Sequence, residues 1–437
     1  MTEPTFHFDI LVAGAGPAGL SAARIAADSG ARVGIIDDNP RPGGQIWRQG
    51  PDHPPVGQAR TLLRALADRP NVSLHSGTRI VQALPGPRLM VENARQSLTL
   101  TGDRVIIATG ARERFLPFPG WTLPGVTGAG GLQALIKGGT PVEGQRIIVA
   151  GSGPLLWAAA ATAQACGARI VAIVEQAPAR AVARFAGGLL LTPAKLVQAM
   201  RLRLGLRRTP YWRDAWITAA HGDAALDRVT IRQRGAAFDV PCDRLACGFG
   251  LLPNTRLAAA MGCRLTPHAG DPAVAVDALQ ATSVDRVFAA GECTGVGGME
   301  LSATEGRIAA HAALGRPEDA RKLFPLRERY RRFAARMHEA FALNPALRTL
   351  AAPDTIFCRC EDVAHHDVAA QTSWRAAKLQ TRCGMGPCQG RICGAAAAFC
   401  FGWGPEGENV GTPPRAPLSP ARVATLMRPL DEPESPT

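Results

Sequence analysis

Five of the chain's eleven cysteines fall within 36 residues, at Cys358, Cys360, Cys383, Cys388 and Cys393. Thiols packed as small apolar side chains do not gather this densely, so the run points to ligand chemistry. Four thiolates can hold Zn²⁺ or a [2Fe-2S] cluster. The leading pair, Cys358-Arg359-Cys360, is CxC where zinc ribbons use CxxC, which tilts the balance towards iron. One of Cys383, Cys388 and Cys393 is surplus to a four-ligand site.

A second chemistry lies near the start. Gly14-Ala15-Gly16-Pro17-Ala18-Gly19 follows an apolar run, Phe8 to Ala13, and opens an alanine-rich stretch. Another apolar run then ends at Asp37, 23 residues after Gly14. In such a strand–loop–helix–strand unit the first glycine makes the turn. The second lets the backbone approach a pyrophosphate, and the third lets helix and sheet pack closely. Helix N–H groups hold the anion, and Asp37 is placed to accept hydrogen bonds from ribose hydroxyls.

The pattern recurs. Arg146 to Ala150 leads into Gly151-Ser152-Gly153-Pro154-Leu155-Leu156, with Glu175 at the end of the next strand. Leu156 replaces the third glycine, which should hold helix and strand apart. Two readings stay open: this fold binds NAD or an adenine nucleotide through Gly151, Gly153 and Glu175, or it is retained without an occupant.

These elements imply an α/β protein with two dinucleotide-binding, Rossmann-like domains. The expected division is a first domain over 1–118 and 252–315, a second over 119–251, and a helical linker over 316–354. A cysteine domain over 355–403 and a flexible, proline-rich tail over 404–437 would follow. A helix is expected from Pro325 to Phe341 and another from Arg391 to Phe401, just after Cys388. Cys242 and Cys247 read as packed thiols. Between Met1 and Arg234 the only cysteine is Cys166, so the sequence lacks a dithiol of the disulfide-reductase type there. No His–Asp or Ser–His pair presents itself either, and no catalytic side chain is assigned; a flavin would supply the hydride chemistry.

The net charge of +13 is carried almost wholly by arginine. It is dispersed, without the basic stripe and interleaved aromatics of a nucleic-acid binder. Eighteen consecutive apolar residues occur nowhere, so no membrane span is expected. The start lacks the layout of a signal peptide, and the cysteines are read as cytoplasmic thiols or ligands.

Three further segments carry a resemblance. Asn39 to Arg48 contains the turn Gly43-Gly44-Gln45; Ala108-Thr109-Gly110 closes a strand; Ala289-Ala290-Gly291-Glu292 closes another. Together with the first glycine loop they resemble the marks of two-dinucleotide-binding-domain flavoproteins. That resemblance implies FAD in the first fold, with Glu292 on the ribityl chain where most relatives carry Asp. The segment from Cys358 to Cys393 resembles the small helical [2Fe-2S] module of bacterioferritin-associated ferredoxin, although its later pair is Cx4C, not CxxC.

Pro42 to Arg48, the degenerate loop Gly151 to Leu156 and Cys-Arg-Cys-Glu-Asp at 358 to 362 resemble, as a set, the α-type subunits of heteromeric bacterial amine and amino-acid dehydrogenases. These include D-hydroxyproline dehydrogenase, opine oxidase and hydrogen cyanide synthase. The form Gly-Met-Gly-Pro-Cys-Gln-Gly-x-x-Cys in that family implies Cys358, Cys360, Cys388 and Cys393 as ligands, with Cys383 the competitor. The family also implies a β subunit, similar to D-amino-acid oxidase, that oxidises an amine, imino acid or opine. It admits an FMN at a subunit interface, an adenine nucleotide in place of FAD, and a small ferredoxin-like γ subunit. Two other classes remain: a stand-alone NAD(P)H-dependent ferredoxin-type reductase and a zinc-stabilised scaffold.

Overall fold

The structure is a computed structural model that describes residues 6–403 and 414–427. It divides into two compact units, which comprise the described parts of 1–112, 252–334 and 411–437, and of 113–251 and 335–410.

In the first unit, β1 (Phe6–Ala13) runs into α1 (Pro17–Asp28) and then β2 (Val33–Ile36). β3 (Val72–His75), β4 (Arg79–Leu84), β5 (Arg88–Glu92) and β6 (Ser97–Ile107) follow. The sheet order is β3-β2-β1-β6-β5-β4. β1 lies parallel to both neighbours, with Val12 opposite Ile35 and Ile106. Ile10 to Ala13 are all essentially buried, because helices cover both faces of a parallel sheet and its strands read as unbroken apolar runs. A later strand, Val287–Ala289, adds beside β6, with Phe288 opposite Ile106. Its following helix, Met299–Ala313, packs against α1 so closely that a Cβ on Gly306 would collide with the Ala18 carbonyl.

The second unit repeats the plan. Arg146–Gly151, Arg169–Glu175, Tyr211–Arg213, Arg244–Gly248 and Val126–Gly128 form a five-stranded parallel sheet. A three-stranded antiparallel sheet of Ala215–His221, Arg228–Gln233 and Ala236–Pro241 shares its core. Cys242 and Cys247 are fully buried there, and burial pushes the Cys242 thiol up to about 12. The cysteine segment belongs to this unit. It has a short hairpin, Ile356–Cys358 with Val363–Ala364, and helices His365–Ala369, Trp374–Thr381 and Cys393–Phe401.

Two expectations change. The last of these helices starts at Cys393, not Arg391; a turn with Gln389 and Gly390 in left-handed backbone angles precedes it. Its first turn therefore begins five residues past Cys388, at Cys393. The expected flexible tail is anchored where it is described. The Leu418 N–H bonds the Val81 carbonyl, and Thr425 Oγ1 lies 2.5 Å from Glu92 Oε2. Its low hydrophobicity hides two anchors, Leu418 and Thr425, that are almost fully buried. Residues 404–413 and 428–437 of that expectation lie outside the described residues.

Candidate functional site

The first glycine loop is built as a phosphate-binding turn. Gly14 has φ +114°, and a Cβ there would collide with the Ala108 carbonyl. A Cβ on Gly19 would run into the Gly14 carbonyl, so the helix approaches the strand only because both are glycine. Gly16 is different: a Cβ there would meet nothing nearer than the Gly44 Cα at 3.9 Å. The space over Gly16 is where a pyrophosphate must come.

Asp37 is buried and holds the loop. It accepts the Ala15 N–H at 2.7 Å and the Asn39 N–H at 2.8 Å. Burial pushes its carboxyl up, while those hydrogen bonds pull the other way. The turn at Gly43-Gly44-Gln45 folds onto the loop, with the Gly43 N–H on the Ala15 carbonyl at 2.8 Å. A Cβ on Gly44 would come within 2.9 Å of the Gly16 Cα, so the two backbones touch directly.

Thr109 and Gly110 are tied to the returning chain. Thr109 Oγ1 donates to the Asn254 carbonyl at 2.7 Å, and the Asn254 N–H donates to the Gly110 carbonyl at 2.9 Å. Gly291 (φ +80°) and Glu292 follow the strand at Val287–Ala289. Burial pushes the Glu292 carboxyl up, and the Gly298 N–H offsets part of this. Sequence reasoning missed Glu305. This buried carboxylate accepts the Gly291 N–H at 3.2 Å and pairs with Arg331 at 3.3 Å. An acidic residue amid Ala303, Gly306 and Ile308 was the available signal.

In the second unit Gly151 makes the same turn, at φ +134°. Leu156 is fully buried, and its helix, Leu155–Ala165, begins four residues after Gly151, whereas α1 begins three after Gly14. Glu175 is fully buried; it accepts the Gly153 N–H at 2.8 Å and the Ala177 N–H at 2.9 Å. Burial raises its pKa to about 7.

The cysteine segment gathers its thiols in two groups. The Sγ atoms of Cys358, Cys383 and Cys393, all buried, lie within 4.8 Å of one another. Cys360 and Cys388 lie beside each other as a second pair. A cavity of about 250 Å³ is lined by Cys358, Cys360, Cys388 and Cys393, but not by Cys383. Phe115, Trp121 and Ile392 supply much of its apolar wall. The Cys358 thiol is held below the usual range by the thiols of Cys383 and Cys393 and, against the pull of burial, by the N–H groups of Gly384 and Cys360.

The glycines of Cys383 to Gly390 permit this convergence. Gly384 has φ +81°, and a Cβ there would meet the Trp374 ring at 2.6 Å. A Cβ on Gly386 would meet the Cys360 Cβ at 2.5 Å. Trp121 fixes the hairpin from outside, donating from Nε1 to the Ile356 carbonyl at 2.6 Å. The donor set fits a thiolate-bound metal or cluster.

Among the described residues no helix is long and apolar enough to cross a membrane. The sequence profile of the family described as "Pyridine nucleotide-disulphide oxidoreductase" matches residues 8–314. The chain is 34% identical to the A subunit of opine oxidase from Rhizobium meliloti (strain 1021), over 97% of this chain and 99% of that protein. It is 31% identical to the HcnB subunit of hydrogen cyanide synthase from Pseudomonas aeruginosa, over 88% of this chain and 90% of that one. Among solved structures, L-proline dehydrogenase from P. horikoshii aligns with a TM-score of 0.65 at 17% identity, covering 98% of this chain and 81% of its own. That last likeness is one of fold. With its glycine loops in place and a profile match across both nucleotide folds, the chain belongs to the pyridine nucleotide-disulphide oxidoreductase family and is a flavin-dependent oxidoreductase, with subunits of opine oxidase and hydrogen cyanide synthase among its relatives.

Proposed function

We propose that this chain is the electron-handling subunit of a heteromeric dehydrogenase that oxidises the CH–NH group of an amine, imino acid or opine. The observation that carries the reading is the pairing of an open first glycine loop with a cavity lined by Cys358, Cys360, Cys388 and Cys393 in one chain. Substrate oxidation belongs, on this reading, to a β subunit similar to D-amino-acid oxidase, with an interfacial FMN and a small ferredoxin-like γ subunit as further components. The opine oxidase and hydrogen cyanide synthase relatives, both subunits of larger enzymes, support a hetero-oligomer. A cytoplasmic location goes with the reduced thiols this site needs.

Bound FAD supplies a two-electron carrier, and a [2Fe-2S] centre passes electrons singly. The chain's own residues do the holding. Gly14 to Gly19 cradle the pyrophosphate, Asp37 faces the ribose end, and Gly43 to Gln45 with Thr109, Gly110, Gly291 and Glu292 border the rest. Cys358, Cys360, Cys388 and Cys393, which line one cavity, would hold the cluster. Phe115, Trp121 and Ile392 wall the buried side of the site, at Cys358 and Cys393, while Cys360 stays exposed.

The test is anaerobic co-purification with the products of neighbouring genes, followed by cofactor analysis. A complex that oxidises an amine or opine and loses that activity when either chain is omitted supports the proposal. Recovery of this chain alone as a fully active NADH oxidase overturns it.

A further inference from the structure

In a doubly wound fold, ligands bind in the crevice beyond the carboxyl ends of the strands. In the second unit that crevice starts at Gly151-Ser152-Gly153 and Glu175-Gln176, where two parallel strands end. The chain itself lies across it. Phe341 and Ala342 follow the helix Phe324–Ala340. Ser152 Oγ donates to the Phe341 carbonyl at 2.8 Å. Gln176, fully buried, donates from Nε2 to the Ala342 carbonyl at 3.1 Å and accepts the Asn344 N–H at 2.9 Å on Oε1. The Phe341 ring stands 3.7 to 3.9 Å from where Gly153 would carry a Cβ, and it packs edge-on against Phe185 at 5.1 Å. At the equivalent Gly16 of the first unit only the Gly44 Cα comes as near.

We infer that the second dinucleotide fold is occupied in cis: residues 341–344 fill the phosphate edge, and the fold serves as the mount for the cysteine segment instead of as an NAD(P) site. The Phe341 ring takes the approach that the second glycine normally leaves for a pyrophosphate. Gln176, one residue past the ribose-binding position, reads the strap's backbone as it would a ligand, giving one donor and one acceptor. From there the chain runs through Leu347, buried in the core of the second sheet, to Ile356, whose carbonyl Trp121 holds. Cys358 is two residues further on. The old ligand edge thus fixes the start of the segment that carries the thiols.

The test uses the full-length chain and hydrogen–deuterium exchange, with and without millimolar NADH or NADPH. In the wild type, peptides covering 151–156 and 175–177 should show no change with either nucleotide. In Gln176→Ala, which removes two hydrogen bonds to the strap, peptides covering 341–350 should exchange about tenfold faster, as expected for roughly 1.4 kcal/mol of lost local stability. Should that variant fail to fold, Phe341→Leu gives the same readout with the hydrogen bonds intact. Nucleotide protection of 151–156 in the wild type overturns the inference, as does unchanged exchange of 341–350 in a folded variant. Neither readout depends on a second protein or a loaded cluster, so the result is separate from the fate of the proposed function.

Discussion

The sulfur atoms of Cys358 and Cys393 lie 3.7 Å apart although 35 residues separate them in the chain. Cys383 joins them, and the Gly384 N–H points at Cys358 Sγ from 3.5 Å. Cys360 and Cys388 meet separately, and only four of the five thiols border the cavity. Sulfur atoms held this close inside apolar walls repel once ionised, so the arrangement favours a bound cation.

Replacing single thiols separates the ligands from the bystander. Cys388→Ser should abolish the visible iron–sulfur absorbance of the anaerobically purified protein, while Cys383→Ser should retain most of it. The reverse pattern would exchange the two residues in the ligand set.

The first glycine loop separates binding from folding. Gly16 has φ −80° and open space at its Cβ, so Gly16→Ala should leave thermal stability nearly unchanged. Its methyl would intrude on the pyrophosphate, weakening FAD binding about tenfold or more, or roughly 1.4 kcal/mol. Gly19→Ala, by contrast, meets the Gly14 carbonyl and should destabilise the first unit itself. Melting curves and flavin content per chain distinguish these outcomes.

Glu92 makes the anchored tail sensitive to acid. Although burial opposes it, hydrogen bonds from Thr425 and Arg422 and the charge of Arg422 hold its carboxyl below the ordinary 4.5. A depressed pKa stabilises the docked state above the ordinary value, and this is lost as pH falls through the depressed one. Limited proteolysis near 418–427 should therefore stay slow at neutral pH and accelerate in acid, once the pH has fallen below the ordinary glutamate range. Glu92→Gln should be cut readily even at neutral pH.

Trp121→Phe tests the hold on the cysteine hairpin. The change keeps most of the ring but removes the donor to the Ile356 carbonyl. A loss of about 1 kcal/mol is expected, or more if the carbonyl is left without a partner. Denaturant melts of the two proteins measure it.

The glycine loops were legible in the sequence because their constraint is local. A tight turn beside a strand end admits only glycine at Gly14 and Gly151, so spacing alone points to them. The convergence of thiols was only half legible. Spacing marks five cysteines, but which sulfur meets which depends on Trp374 and on the left-handed turns at Arg382, Gly384, Gln389 and Gly390. The strap at Phe341 and Ala342 gave no signal at all, since its partners, Ser152 and Gln176, are more than 160 residues away. The tail misled for a related reason. Its proline-rich composition resembles that of unstructured chain, and two small anchors, Leu418 and Thr425, decide the placement of residues 414–427.

The most direct test of the electron-handling role is the metal and sulfide content of the anaerobically purified full-length chain, read together with its electron paramagnetic resonance after reduction. A [2Fe-2S] centre predicts about two irons and two acid-labile sulfides per chain, and a signal that disappears in Cys388→Ser. One zinc per chain with no sulfide and no signal would contradict it.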